Sequence, residues 1–559
     1  MSKYVFGIDL GTTYSCIAYV NEKGDPQVIK NSEGDNLTPS VVEFEEDNKI
    51  IVGEDAKEDT VLNEDNTVQF VKSLMGKTDF AIEHNNEART PEEISSYILK
   101  KLAQDASEAL DTEVKDVVIT CPAYFGTAQR TATKNAGKIA GLNVLEVINE
   151  PTAAALFYGC TRDSENKTIM VYDLGGGTFD VTVMRVNADK IEVICSDGDH
   201  DLGGKRWDDA LMDYLFDKVR EQEGYDGEFD EYMQQNFRLK VEEVKKKLSF
   251  REKVNGTFEI DGKRIKSEVT RKEFDEITKI LLNETLNKTN EVVRIAKSKG
   301  YDEIDEVLLV GGSTRMPQVK NTICEKFGKE KVKIFEPDEA VAKGAAIYAV
   351  DVYLNNKKIV ETEASDIIKE NKLNPDDYKE NLSVETEMIG VGGVFREIVT
   401  ATTKSFGVKA VKDGEPICLN MIKKNELMEK GFIEEKRIFK TMSDNQEIVN
   451  IEIYESDYMD DVIDVDDDFY IGNAILELPR NLSKDSSIEV ILKLNKEGIL
   501  EVTGIDKTSG KKVNVKLKTK DAMTEKKLEE IKEKFQGMLV VWTTPAFRSG
   551  SFLGSICFC

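Results

Sequence analysis

The sequence predicts a two-lobed α/β region at residues 1–353, followed by an all-β sandwich at residues 398–520. Three observations support this prediction. Two segments far apart in the chain repeat one strand–turn–strand pattern, which indicates two homologous lobes. Strand and helix patterns alternate through the first region, as in α/β folds. After residue 398, short alternating runs are separated by Gly, Asn and Asp, which is typical of antiparallel sheets.

The repeated pattern lies at Val5–Val20 and Met170–Val186. The first segment reads VFGIDLGTTYSCIAYV and the second reads MVYDLGGGTFDVTVMRV. In each, an apolar strand ends in an aspartate, a turn with Gly and Thr follows, and a second alternating strand begins. We therefore expect two matched β-hairpins, one in each lobe.

The chemistry of the two turns suits nucleotide phosphates. Glycines lack a Cβ, so their backbone N–H groups can approach an anion closely, and threonine hydroxyls add donors. The candidate phosphate contacts are Gly11, Thr12, Thr13, Tyr14, Gly175, Gly176, Gly177 and Thr178. The carboxylates Asp9 and Asp173 would repel phosphate, and we expect them to hold Mg²⁺ through its water shell. The alternative, that the glycines only serve tight hairpins, stays open for either turn alone.

Further signals accompany these turns. The apolar run Val307–Val310 precedes GGSTRMP, where a nucleotide can meet backbone N–H groups and Arg315 can stack on a base. Thr90 predicts an N-cap for a helix that begins at Pro91. Two small-residue segments, 149–156 and 339–346, suit either a hinge between lobes or plain tight packing, and both readings stay open.

The composition limits the function classes. The 559 residues are 40% hydrophobic and carry a net charge of −29, which disfavours nucleic acid and anionic membranes as partners. The chain has no membrane-spanning apolar run and no leader pattern at its start, so we expect a cytoplasmic protein. Eight scattered cysteines and two histidines predict reduced thiols and no histidine-based catalytic or metal site.

Six motifs in the first region resemble one family, the 70-kilodalton heat-shock chaperones of the DnaK type. They are GIDLGTTYSC, CPAYFGTAQRTAT, NEPTAAAL, DLGGGTFDV, GGSTRMP and PDEAVAKGAA, in the order in which the family carries them. The resemblance implies an actin-like fold that binds ATP or ADP with Mg²⁺, with K⁺ as a further candidate ion. It also implies slow ATP hydrolysis.

The resemblance implies roles for single residues around the phosphates. Lys72 matches the lysine that orients the attacking water, and Glu150 and Asp180 match its carboxylate partners. Thr178 matches the threonine that contacts the γ-phosphate. The remaining matches are Asp9 and Asp173 as supporters of Mg²⁺, and Pro122 and Arg130 as the pair that relays the nucleotide state.

The resemblance also implies an adenosine side of the site. Its matching residues are Glu242, Lys245, Lys246, Ser249, Gly311, Gly312, Ser313, Arg315 and Asp338. Lys246 stands where the family often has arginine, which puts base stacking at that position in doubt. Without the resemblance, Lys72 and the charged helix at 242–247 would read as solvated surface.

The second half resembles the family more faintly. It carries MIKKN, TMSDNQ, GNAILELP and NKEGILEVTGIDKTSGK in order. The resemblance implies a sandwich that binds extended apolar peptide through backbone hydrogen bonds and a small apolar pocket. The pocket candidates are Val408, Phe439, Met442, Val449 and Ile451. That these residues are plain sandwich core is an equally open alternative.

The chain departs from the family in four places. The stretch 75–90 is short, which predicts a reduced outer part of the first lobe. A charged insertion and linker occupy 354–397, and REIVT at 396–400 stands where the family has leucines. We expect the acidic loop 457–468 to be solvated rather than a Ca²⁺ site. Residues 521–559 predict a remnant of the helical lid followed by an atypical apolar tail.

The leading hypothesis is an ATP-dependent, monomeric chaperone that takes part in protein folding and the stress response. Its expected partners are unfolded or extended polypeptides, a J-domain co-chaperone and a nucleotide-exchange factor. The altered linker predicts peptide affinity in the micromolar range or weaker, changing less than tenfold between ADP and ATP. One alternative is a chaperone-like partner with weak turnover that promotes nucleotide exchange. An actin-like filament or a small-molecule kinase is a third class, against which the sandwich motifs argue.

Overall fold

The computed structural model describes residues 4–45, 49–61, 63–77, 81–84, 87–160, 166–187, 190–223, 229–260, 263–370, 397–496, 498–517, 523 and 525–536. The predicted apolar tail from residue 537 onward lies outside the described residues. So does the part of the predicted insertion at 371–396, which includes Arg396.

The first lobe, residues 4–160, has one large sheet, two smaller sheets and flanking helices. Its strands are β1 (Phe6–Asp9), β2 (Tyr14–Val20), β3 (Pro26–Val28), β4 (Thr38–Pro39), β5 (Val42–Phe44), β6 (Ile50–Val52), β7 (Thr67–Val68), β8 (Ile82–His84), β9 (Glu87–Arg89), β10 (Asp116–Cys121) and β11 (Asn143–Asn149). Its helices are α1 (Glu54–Asp59), α2 (Pro91–Leu110), α3 (Thr127–Ile139) and α4 (Glu150–Cys160).

The second lobe, residues 166–370, repeats this architecture. Its strands are β12 (Lys167–Leu174), β13 (Phe179–Val186), β14 (Lys190–Asp199), β15 (Lys253–Ile260), β16 (Lys263–Thr270), β17 (Glu306–Val310) and β18 (Val332–Ile334). Its helices are α5 (Gly204–Glu223), α6 (Glu231–Leu248), α7 (Arg271–Ile277), α8 (Lys279–Ser298), α9 (Pro317–Phe327) and α10 (Ala340–Glu370).

The two large sheets share one topology. The first has the order β11-β10-β1-β2-β3, and the second has the order β18-β17-β12-β13-β14 with one further strand at its edge. In both, the central strand runs antiparallel to its hairpin partner and parallel to the strand on its other side. The predicted hairpins are thus β1–β2 and β12–β13, at equivalent places in two equivalent sheets.

Local signals explain the first long helix and the contact between the lobes. The Thr90 side chain accepts a hydrogen bond from the Glu93 backbone N–H at 3.3 Å and caps α2, as predicted. Helices α4 and α10 pack at small residues. A Cβ on Gly344 would lie 1.8 Å from the carbonyl oxygen of Ala153, so only glycine permits this approach.

The region after residue 397 is predominantly β. Its elements are β19 (Glu397–Val399), β20 (Ser405–Lys412), β21 (Glu415–Ile422), β22 (Phe432–Lys440), β23 (Ile448–Ser456), β24 (Val462–Asp464), β25 (Tyr470–Glu477), β26 (Ser487–Asn495), β27 (Leu500–Asp506), β28 (Lys512–Leu517) and the helix α11 (Glu525–Gln536). Two antiparallel sheets, β24-β21-β20-β23-β25 and β22-β26-β27-β28, enclose one apolar core.

Two boundaries differ from the sequence prediction. Helix α10 continues to Glu370, so the first part of the predicted insertion is helical. Strand β19 pairs in parallel with β14, so Glu397–Val399 extends the sheet of the second lobe. The cause is non-local: β14 offers an open sheet edge, and the side chain of Val399 is buried there.

Candidate nucleotide site between the two lobes

A cavity of about 500 Å³ lies where the turns of the two hairpins meet. Most of the residues predicted for the site line it. They are Asp9, Gly11, Thr12, Thr13, Tyr14, Lys72, Glu150, Asp173, Gly175, Gly176, Thr178, Glu242, Lys245, Lys246, Ser249, Gly311, Gly312, Ser313, Arg315 and Asp338. The other predicted residues of this region, Gly177, Asp180, Pro122 and Arg130, lie behind the wall.

The two hairpin turns interlock. A Cβ on Gly176 would lie 2.1 Å from Thr13 Oγ1, and a Cβ on Gly177 would lie 2.4 Å from Thr12 Cγ2. The Gly175 N–H donates to the Thr178 carbonyl oxygen at 3.0 Å, which closes the second turn. Glycine is therefore required because the opposite turn occupies the space of a side chain.

Three carboxylates, Asp9, Glu150 and Asp173, and one lysine form the inner wall, and the buried carboxylate of Asp180 lies behind it. Lys72 makes a buried ion pair with Glu150. The Thr120 hydroxyl donates to Asp9 Oδ1 at 3.0 Å, and the Ala123 N–H donates to Asp180 Oδ1 at 3.1 Å. These carboxylates outnumber the single lysine, so the group can attract a further cation.

The electrostatics of the inner wall follow from burial. Burial first, and then repulsion from Glu150, raise the pKa of Asp9 to about 7. The same two causes raise the pKa values of Asp173 and Asp180. Among the described residues, no three His, Cys, Asp or Glu side chains are arranged to hold a metal ion directly. Carboxylate oxygens are ligands that suit Mg²⁺, directly or through its water shell, so the chemistry of the inner wall fits this ion.

The other end of the cavity is polar and partly open. Lys245 pairs with Asp208 at 2.6 Å, and Ser313 Oγ donates to the Gly175 carbonyl oxygen at 2.8 Å. The Arg315 guanidinium pairs with Asp338. The first contact ties α6 to α5, and the second ties the short 3₁₀ turn Gly312–Arg315 to the second hairpin.

Lys57, which the sequence did not indicate, joins three predicted site residues in a cluster between the lobes. Lys57 on α1 pairs with Glu242 on α6 at 2.8 Å and donates to the Tyr14 hydroxyl at 2.7 Å. Lys246 pairs with Glu242 at 2.7 Å. Although burial opposes it, the attraction of Lys57 and Lys246 lowers the pKa of Glu242 to about 2. This cluster of four side chains spans the mouth of the cleft.

The predicted switch residues lie between the inner wall and the sandwich. Arg130 donates through Nε to the Phe125 carbonyl oxygen at 2.9 Å and through Nη2 to Asn149, which precedes Glu150. Pro122 directly follows β10, and its carbonyl oxygen accepts from the Phe125 N–H. The segment therefore connects the acidic wall to the surface that faces the sandwich.

The sandwich contacts both lobes. Lys424 lies between Asp197 of the second lobe at 3.0 Å and Asp457 of the acidic loop at 3.1 Å. The side chain of Glu455 reaches the first turn of α3, where the Thr127 N–H donates to it at 3.4 Å. The acidic loop is thus only partly solvated, because Asp457 also pairs with Lys404.

Helix α11, predicted as a lid remnant, packs on the first lobe. The ring of Phe535 stacks on Tyr97 with a centroid distance of 5.0 Å, and Lys534 pairs with Glu87 at 2.6 Å. Phe535 is almost fully buried by this contact. The short stretch before α2, which carries the hairpin β8–β9, thus contributes to the surface that receives the helix.

The five pocket candidates of the sandwich do not form one surface. Val408 and Ile451 are buried in its core, which agrees with the plain-core alternative for these two. Phe439 and Val449 are partly buried against that core, and Met442 is 63% exposed. Other exposed apolar side chains of these strands, which sequence analysis did not select, are Val411, Ile438, Ile448 and Ile475.

Comparisons with known proteins agree with this organisation. A family model described as Hsp70 protein matches residues 5–369 and 399–540. The chaperone protein DnaK of Thermosipho melanesiensis is 36% identical over 539 residues, which cover 95% of this chain and 83% of the relative. DnaK of Thermotoga neapolitana is 35% identical over 546 residues, with the same coverage. No helix among the described residues is long and apolar enough to cross a membrane.

Proposed function

The chain belongs to the Hsp70 protein family, and from that premise we propose that it is an ATP-dependent molecular chaperone that binds extended apolar segments of unfolded proteins. The observation that carries the proposal is the cleft itself. Two equivalent glycine turns from two equivalent lobes meet there, beside Lys72 and the carboxylates of Asp9, Glu150 and Asp173. Family membership favours this function over a nucleotide-exchange partner with weak turnover.

In this proposal residues 1–353 form an actin-like ATPase domain and residues 398–520 form the peptide-binding sandwich. Residues 354–397 connect the two domains, and residues 521–559 hold the lid remnant and the tail. The interlocked turns bind the phosphates of ATP or ADP through backbone N–H groups, and Thr178 contacts the γ-phosphate. The adenosine side is formed by α6 and the turn Gly312–Arg315.

In this site the protein accelerates hydrolysis by positioning the reacting groups and by stabilising the charge on the phosphates. Lys72 orients the attacking water, and its buried pairing with Glu150 fixes the direction of its ammonium group. Asp180 supports the same water from behind the wall. Bound Mg²⁺ would neutralise phosphate charge, and Asp9 and Asp173 would hold it through water. K⁺ is a second candidate ion for the phosphate end.

The nucleotide state reaches the sandwich through Pro122 and Arg130. Arg130 contacts Asn149 beside the catalytic Glu150, and α3, on which Arg130 lies, receives Glu455 of the sandwich. The pairing of β19 with β14 provides a second path. ATP would hold these contacts, and hydrolysis would release them and close the peptide site.

We assign peptide binding to the exposed and half-buried candidates Phe439, Met442 and Val449 rather than to the buried Val408 and Ile451. The partners of a DnaK-like chaperone are unfolded polypeptides, a J-domain co-chaperone and a nucleotide-exchange factor. We place the protein in the cytoplasm as a monomer, with no nucleic acid or membrane among its partners.

One assay tests the proposed function. ATP hydrolysis is measured with Mg²⁺, with and without an unfolded apolar peptide, for the parent protein and for Lys72→Ala. For the parent protein we expect slow hydrolysis that the peptide accelerates, and for Lys72→Ala we expect no turnover. The variant should still bind ATP, because many other groups at that end of the cavity contact the phosphates in this proposal. Parent-like hydrolysis by Lys72→Ala would remove the assigned role. An absence of hydrolysis in the parent protein would refute the function.

A further inference from the structure

Phe250 lies in the wall of the nucleotide cavity and has no role in the mechanism described above. It is 79% exposed, more than any other large apolar side chain of the described residues. A single exposed apolar residue is ordinary on a protein surface. The position of Phe250 therefore decides whether it has a function.

The backbone holds Phe250 in the cavity wall directly after α6. The residue follows Ser249 at the end of α6, and its N–H donates to the Lys247 carbonyl oxygen at 3.1 Å. Ser249 lines the same stretch of wall, and Arg315 lines the cavity from the turn after β17. Phe250 therefore lines the cavity beside Ser249, just after the end of α6.

Lys246 of α6, the cation expected to face the nucleobase, contacts other side chains instead. Lys246 Nζ lies 2.7 Å from Glu242 and 3.1 Å from the Tyr14 hydroxyl, and it sits over the Tyr14 ring at 5.1 Å from the centroid. These contacts hold the ammonium group in the cluster across the cleft mouth. On this part of the wall, the exposed ring of Phe250 is therefore available to stack on a ligand.

We propose that Phe250 is a base-stacking residue for the bound nucleotide, and that it favours purine over pyrimidine bases. A base packed on the exposed ring would remove apolar surface of both partners from water. A purine covers more of the ring than a pyrimidine does. The Arg315 guanidinium, held by Asp338, is a second planar group in the same cavity. This inference rests on the proposed function, because it requires a nucleotide in the cleft.

The test compares Phe250→Ala with Tyr232→Ala, which removes another exposed aromatic side chain, on α6 itself but outside the cavity wall. Calorimetry measures the affinities for ADP, CDP and inorganic pyrophosphate in the presence of Mg²⁺. Because both residues are exposed, both variants should fold. Phe250→Ala should bind ADP about tenfold more weakly. Its affinity for CDP should fall less, and its affinity for pyrophosphate should not change.

Phe250→Tyr keeps the ring and should bind ADP like the parent, as should Tyr232→Ala. An ADP affinity of Phe250→Ala within twofold of the parent would overturn the inference, and so would an equal loss for pyrophosphate. In either case the parent would still bind ADP and the proposed function would stand. If the parent bound no nucleotide, the proposed function itself would fail, and this inference with it.

Discussion

The contact between the two glycine turns gives the sharpest prediction, which is the effect of Gly176→Val. A Cβ at this position would lie 2.1 Å from Thr13 Oγ1, whereas Cβ atoms essentially never approach a neighbour closer than 3.0 Å. The turns must therefore separate by about 0.9 Å. Separation on this scale misaligns backbone donors with a phosphate they share.

The magnitude follows from the lost hydrogen bonds. A hydrogen bond to a charged group contributes about 1.5–3 kcal/mol, so the loss of two costs at least about 3 kcal/mol. That corresponds to a decrease in ATP affinity of about 150-fold or more. Calorimetry with ATP and Mg²⁺ measures it, and circular dichroism checks that the variant is folded.

Gly175→Ala is the matched control. Its Cβ would meet nothing closer than 3.6 Å, at the Thr178 carbonyl oxygen, so the turns need not separate. We expect a much smaller loss of affinity. If the folded Gly176→Val protein binds ATP like the parent, the placement of the phosphates between the turns is wrong. If Gly175→Ala loses as much affinity as Gly176→Val, the turn contact is not the cause.

Three further predictions concern the cleft and the domain interface. Lys57→Ala should accelerate ADP release about fivefold, which corresponds to a loss of roughly 1 kcal/mol in the contact across the cleft mouth. Lys49→Ala removes a surface ion pair of the same lobe and should leave the release rate unchanged. Stopped-flow release of a fluorescent ADP measures both rates. The pKa of Asp9 is about 7 in the folded state and about 3.9 in the unfolded chain. Between these two pH values the unfolded chain therefore binds fewer protons than the folded protein. The nucleotide-free protein should lose stability from pH 4 to pH 7, and Asp9→Asn should flatten that slope in denaturant titrations; an unchanged slope would contradict the assignment. Lys424→Ala leaves Asp197 and Asp457 without their shared cation, so peptide should accelerate ATP hydrolysis at least twofold less than in the parent, and parent-like acceleration would show that this contact carries no coupling.

Local pattern accounts for much of the fold and of the phosphate side of the site. The glycine turns, their aspartates and the capped start of α2 are encoded within a few residues, so each could be read from the sequence. Lys72 needed the family resemblance, because a lone lysine before a short turn has no local signal of burial. The structure places it in a buried ion pair with Glu150.

Non-local contacts account for what the sequence did not predict. Lys57 meets Glu242 across 185 positions of the chain, and nothing near Lys57 marks that encounter. The predicted boundary between the linker and the sandwich falls inside strand β19, and nothing in that segment indicates that it pairs with the open edge of β14. Alternation likewise could not distinguish the inward face of the sandwich from a ligand pocket. Val408 and Ile451, for which both alternatives were open, are buried in the core cluster.

The linker decides how strongly the two halves of the molecule communicate. Only three residue pairs join β19 to β14, and Val399 is the residue of the strand that is fully buried. Fewer buried apolar groups give less docking energy, at roughly 25 cal/mol per Å² of apolar area. The contacts of Lys424 and Glu455 add to this, so coupling is expected but modest.

The most direct test of the central claim is the affinity of a labelled apolar heptapeptide, titrated by fluorescence anisotropy in saturating ADP and in saturating ATP. An ATP-dependent chaperone must bind the peptide more weakly in ATP than in ADP. Linkage then requires the peptide to weaken ATP binding relative to ADP binding by the same factor. We predict micromolar or weaker affinity in ADP and a further decrease of less than tenfold in ATP. Equal affinities in the two nucleotides would contradict the account.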